Sequence, residues 1–136
     1  MVDLQMKIMY IVLDTDIERG KWNMITYKDS QPHTQRSQVM GGPGSYDQRS
    51  LFTPDQCAKT RLFSVLTMPT GSGIGEHSHT GEGEAYIVLK GQAVVTEDGQ
   101  EYILNPGDAE YCTDGHTHSV RNAGPETLEL LAVIML

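Results

Sequence analysis

The chain has 136 residues with 10 basic and 18 acidic side chains, a net charge of −8, which is enough length for one domain with its own core and no disulfide staple. Its lysines and arginines are scattered, which argues against nucleic acid or an anionic membrane as a partner. Cys57 and Cys112 form no C-x-x-C pair, no charged-then-apolar leader precedes them, and the apolar run at 130–136 falls far short of the ~20 residues that cross a bilayer. A cytoplasmic protein with free thiols is expected.

In chain order, residues 6–13 are apolar and rich in strand formers, and 21–27 alternate, so two early strands are expected there. Their apolar surface exceeds what a single barrel needs, and an uncovered edge would aggregate, so a homodimer through these strands is expected. Residues 28–50 are polar and punctuated by Pro32, Gly41, Gly42, Pro43 and Gly44. They read as a long loop or arm: a flexible connector, or alternatively a lid in which Arg36 or Arg49 meets an anionic substrate.

Strands follow at 61–68 and 85–90. Residues 92–96 and 100–104 form a hairpin across Glu97-Asp98-Gly99, where Asp-Gly supplies the positive φ of a tight turn. After Pro106-Gly107 come strands at 108–112, 118–122 and 127–135, the last two separated by Ala123-Gly124-Pro125. Many short strands with turns between them and no convincing helix make this an all-β sandwich or barrel.

The chemistry is concentrated at 71–91, where Gly71, His77, His79, Glu84 and Gly91 stand in the spacing G-x5-H-x-H-x4-E-x6-G. Residues i and i+2 of a strand share a face about 6.6 Å apart, so His77 and His79 can aim two imidazoles at one ion. The glycines between Thr80 and Glu84 suit a loop that returns Glu84 to the same ion. A second stretch holds Gly107, Gly115, His118 and Asn122 in the spacing G-x5-(P)-x-G-x2-H-x3-N, with Thr113 in the proline place.

Together the two stretches resemble the paired motifs of the cupins, small jelly-roll β-barrels. The resemblance implies one cupin domain over 1–136, with N-terminal strands and arm at 1–50 and a barrel at 61–135. It also implies one divalent transition metal per chain held by His77, His79, Glu84 and His118, with Asn122 holding the strand around His118. Three nitrogens and one oxygen suit Mn, Fe, Co, Ni, Cu or Zn, and residue types do not choose among them. Four protein ligands on a six-coordinate ion leave two positions for a small oxygen-rich molecule such as a carboxylate.

Strand parity puts Tyr86 and Val88 on the face of Glu84, and Val120 on that of His118. Tyr86 is then either a core aromatic or a catalytic acid or base. His116 is either a loop histidine or a catalytic proton shuttle, Cys112 is a buried strand residue, and His33 belongs to no constellation. Among cupins the chain is similar to small bacterial proteins that look like oxalate decarboxylase, through the segment IGEHSH and the ending LELLAVIML. Those enzymes carry an arginine where this chain has Ile74. A lyase acting on sulfonium propionates is resembled through Tyr86 alone. A metal-dependent enzyme on a small carboxylate is the main expectation; a non-catalytic binding or sensing module and a metal-free sugar isomerase are the alternatives.

Overall fold

The computed structural model describes residues 25–136. The strands expected at 6–13 and 21–27, and with them the expected dimer surface, lie outside the described residues except for 25–27, which are not strand. Ten strands follow: β1 (His33–Ser37), β2 (Ser45–Ser50), β3 (Thr60–Met68), β4 (Gly73–Ser78), β5 (Gly83–Lys90), β6 (Ala93–Glu97), β7 (Gln100–Leu104), β8 (Ala109–Cys112), β9 (Thr117–Arg121) and β10 (Leu128–Met135). They build a six-stranded sheet in the order β1-β2-β3-β10-β5-β8 and a four-stranded sheet in the order β4-β9-β6-β7, with every pair antiparallel. This is the all-β architecture expected from the strand pattern, in the jelly-roll form that the resemblance to cupins implies.

The core lies between the sheets. In β10, Leu128, Leu130, Ala132 and Ile134 are buried while the residues between them are not, and the register pairs the last three with Val88, Tyr86 and Glu84 of β5. Alternation of this kind is what one wet and one dry face demand. Tyr86, Val88 and Val120 are fully buried, as parity requires. The Asp98-Gly99 turn between β6 and β7 has φ 47° and 84°, the positive values that a tight hairpin needs.

Residues 28–50 depart from expectation. Read as a loop or arm, they are instead the β1–β2 hairpin, whose second strand pairs with β3 and extends the large sheet. Their low apolar content misleads because backbone pairing to an existing sheet edge needs few apolar side chains; of the hairpin strands only Tyr46 is buried.

Asn122, just after β9, is buried, and its amide nitrogen donates to the carbonyls of Met68 (2.9 Å) and Glu126 (2.7 Å) while its Oδ1 accepts from the Gly124 N–H (3.0 Å). The side chain ties the end of β9 to β3 and to the turn before β10. Asn122→Ala should therefore cost about 2 kcal/mol, since it strands buried backbone groups. Thermal unfolding within a degree or two of the parent would show that the three bonds do not hold this corner.

Candidate metal centre

His77 stands near the end of β4 and His79 just beyond it, Glu84 is the second residue of β5, and His118 lies in β9 opposite His77. The β4–β9 register slips between Ile74 and His77, and this bulge lets both side chains face inward although they are three residues apart. The turn without its proline still closes: Gly115 has φ 86°, its N–H donates to the His79 carbonyl (3.1 Å), and the His116 N–H donates to the Thr113 carbonyl (3.1 Å).

Each imidazole is oriented by a partner that can only accept. The Nδ1–H of His77 donates to the Gly75 carbonyl (2.8 Å), that of His79 to Glu82 (3.0 Å) and that of His118 to Glu110 (2.9 Å). Such partners fix the tautomer and turn every Nε2 toward one point. His118 Nε2 lies 3.0 Å from that of His77 and 3.2 Å from that of His79, and Glu84 Oε1 is 3.4, 3.2 and 3.0 Å from the nitrogens of His77, His79 and His118. A point equidistant from atoms so spaced is about 2 Å from each, a metal–ligand distance for these donors. The set His77, His79, Glu84 and His118 could therefore hold a metal ion.

The electrostatics point the same way. Burial opposes charge on Glu84, but hydrogen bonds with His118 and His77 outweigh it and hold the carboxyl at about 2. Burial likewise opposes charge on His118, yet its bonds to Glu110 and Glu84 lift it to about 9. Taken by themselves, the protein groups place a proton, and so a positive charge, at the convergence point. Glu82 is held at about 2 by Arg61, which grips it with two bonds of 2.8 and 2.6 Å, and by His79. An Arg61–Glu82–His79 chain thus steadies one imidazole from outside.

Tyr86 is fully buried and stacks on His118 with ring centroids 4.7 Å apart and planes 10° from parallel. Its hydroxyl has no hydrogen-bond partner of normal geometry, and burial followed by the nearby Glu84 charge raises its pKa well above the ordinary tyrosine value. His77, His79 and Glu84 of the cluster line, with Tyr86, a cavity of about 140 Å³ whose apolar walls include Leu62, Ile74 and Ile134. Allowing ~30 Å³ for each water, this is room for roughly five, well below the ~300 Å³ at which pockets for drug-sized ligands begin.

The remaining candidates lie elsewhere. His116 is half exposed and pairs with Asp98 (2.5 Å), and it does not line the cavity. His33 bonds to Asp47 across the hairpin (2.7 Å). Cys57 and Cys112 are free; Cys112 is buried, and burial with neighbouring carboxylates pushes its thiol up to about 11. Of the two hairpin arginines, Arg36 lines the cavity, whereas Arg49 donates to Gln31 Oε1. Sequence reasoning missed Glu82 and Glu110. The signal for Glu110 was available, because it faces Tyr86 across β5 and β8; Glu82 sits in a loop, where no parity applies.

Comparison with known proteins agrees with this geometry. Residues 64–134 match the model of the cupin domain. An oxalate-binding protein of Thermotoga maritima is 37% identical over 101 residues, covering 74% of this chain and 84% of the relative. A crystal structure from Thermotoga maritima described as a predicted oxalate decarboxylase superposes with a TM-score of 0.78 at 33% identity, covering 82% of this chain and 98% of that one. A structure from Thermus thermophilus superposes with a TM-score of 0.60 at 27% identity, covering 66% and 82%. With both motifs in place, the two-sheet barrel around them and relatives spanning most of its length, the chain belongs to the cupin family.

Proposed function

We propose that this protein is a metal-dependent cupin that binds a short carboxylate, oxalate foremost, at the cluster of His77, His79, Glu84 and His118. One observation carries the reading: three oriented Nε2 atoms and one carboxylate oxygen converge at a cavity sized for a few heavy atoms. The oxalate-binding relative supports the choice of ligand. A divalent ion held there would act as a Lewis acid toward a carboxylate oxygen. The chain does the rest. Glu82, Glu110 and the Gly75 carbonyl orient the imidazoles, Leu62, Ile74 and Ile134 give the cavity apolar walls, and the Tyr86 hydroxyl offers a hydrogen bond to a ligand oxygen.

A second reading, binding without turnover, is favoured by one feature. Each imidazole and carboxylate lining the cavity is already engaged in the cluster, so among the described residues the only free acids or bases lining it are the phenols of Tyr46 and Tyr86.

Calorimetry with metal-loaded protein separates these outcomes when oxalate loss is followed in parallel. His79→Ala should abolish oxalate binding. Tyr86→Phe should leave the metal in place and weaken oxalate by about ten- to a hundredfold, the worth of one hydrogen bond to a charged group. Its thermal stability should fall little, because the phenol has no hydrogen-bond partner of normal geometry within the protein. Undiminished oxalate binding by His79→Ala would remove the cluster from the function. Oxalate consumed by the parent but not by Tyr86→Phe selects the enzyme, and binding without consumption selects the binding protein.

A further inference from the structure

The cavity has a second group of polar residues. They come from the β1–β2 hairpin, where the register sets Arg36 opposite Tyr46, with Gln48 two residues further along the same face of β2. All three side chains line the cavity, and none makes a side-chain hydrogen bond or ion pair with another described residue. Arg61 also lines the cavity, but its fork is filled by both oxygens of Glu82. Arg36 is thus the one cavity cation among the described residues whose donors are free. Burial raises the pKa of the Tyr46 phenol, and the charges of Arg36 and Glu84 act on it in opposite directions.

We propose that Arg36, flanked by Tyr46 and Gln48, is a carboxylate subsite, and that the ligand is a short dianion held between it and the histidine cluster. The inference rests on the reading given under Proposed function and narrows it from carboxylates to dicarboxylates. A guanidinium presents two parallel N–H groups that match one carboxylate, and the phenol and amide add donors at its side. His77, His79 and Glu84 of the cluster line the same cavity of about 140 Å³ as the hairpin residues, which suits a short ligand reaching both. The hairpin would then select the ligand, while the cluster holds its other end.

The test is calorimetry of metal-loaded parent, Arg36→Ala, Arg36→Lys and Arg49→Ala with oxalate and with formate, beside metal content for each. Arg36→Ala should lose at least tenfold in oxalate affinity, with formate affinity and metal content unchanged. Arg36→Lys should recover part of the loss, and Arg49→Ala should match the parent, because its guanidinium bonds to Gln31 outside the cavity. Oxalate binding by Arg36→Ala within twofold of the parent overturns the subsite and leaves the carboxylate reading standing. Equal weakening of oxalate and formate also overturns it, since that is a diffuse charge effect. A parent that binds neither anion defeats both readings together.

Discussion

Purified without added metal, the protein should carry close to one divalent transition ion per chain, and stripping that ion should lower its melting temperature by roughly 10–15 °C. The figure follows from linkage. An ion present at a thousandfold excess over its Kd stabilises the folded state by about 4 kcal/mol, and a chain of this size shifts by a few degrees per kcal/mol. The effect is expected to be this large because the donor atoms are preset: Gly75, Glu82 and Glu110 each hold one Nδ1–H, so little ordering remains to be done on binding. His118→Ala should abolish tight binding, and chelator should then leave its melting temperature unmoved. Removing His118 also leaves Glu84 and Glu110 buried without their shared partner, so this variant should melt below the stripped parent. Elemental analysis and calorimetric melting give both numbers. A parent that takes up none of Mn, Fe, Co, Ni, Cu or Zn, with melting indifferent to chelator, would refute the metal reading of the cluster.

Most of this centre is legible in the linear sequence because its spacing is dictated by short-range geometry. His77 and His79 flank the end of one strand, a glycine-bearing loop returns Glu84, and a tight turn at Gly115 fixes the approach to His118. Seven strands from β3 onward, excluding β4, were placed within about two residues of their observed bounds, since turn residues mark their ends. What failed is equally physical. The hairpin at residues 28–50 escaped notice because its partner, β3, supplies the sheet edge, and long-range pairing leaves no local pattern. The same pairing brings Arg36 to the cavity, and composition alone could not choose it over Arg49. Strand parity turns Glu110 inward, but that it holds His118 appears only once the sheets face each other, and Glu82 meets His79 three residues away through the fold of a loop. His116 sits in an H-x-H pair that looks like the other one, yet it turns outward to Asp98.

The wall of the cavity makes a demand that no motif announces, and Gly75→Ala should expose it. A Cβ on Gly75 would lie 2.1 Å from the Met40 carbonyl oxygen and 2.9 Å from the Gly42 nitrogen, and one on Gly42 would lie 2.6 Å from the Gly75 nitrogen. The backbone of the 3-10 turn at Val39–Gly41 therefore rests directly on the backbone of β4, and no side-chain rotation can relieve the clash. Gly75 does not have the positive φ of a turn glycine, so the substitution tests contact and not backbone strain. An added methyl must drive the turn and the strand apart, at about 2–3 kcal/mol by the usual cost of overpacking. Two consequences for the site follow. The turn carries Val39 and Met40, which line the cavity, and the Gly75 carbonyl holds the Nδ1–H of His77. Metal affinity should therefore fall by about tenfold or more, as it does when the group orienting a ligand histidine is disturbed. Ser78→Ala, an exposed position on the same strand, should change neither quantity. Parental melting and metal affinity in Gly75→Ala would mean that the turn does not pack on β4 at this distance, and that the cavity is more open on its hairpin side than its lining residues imply.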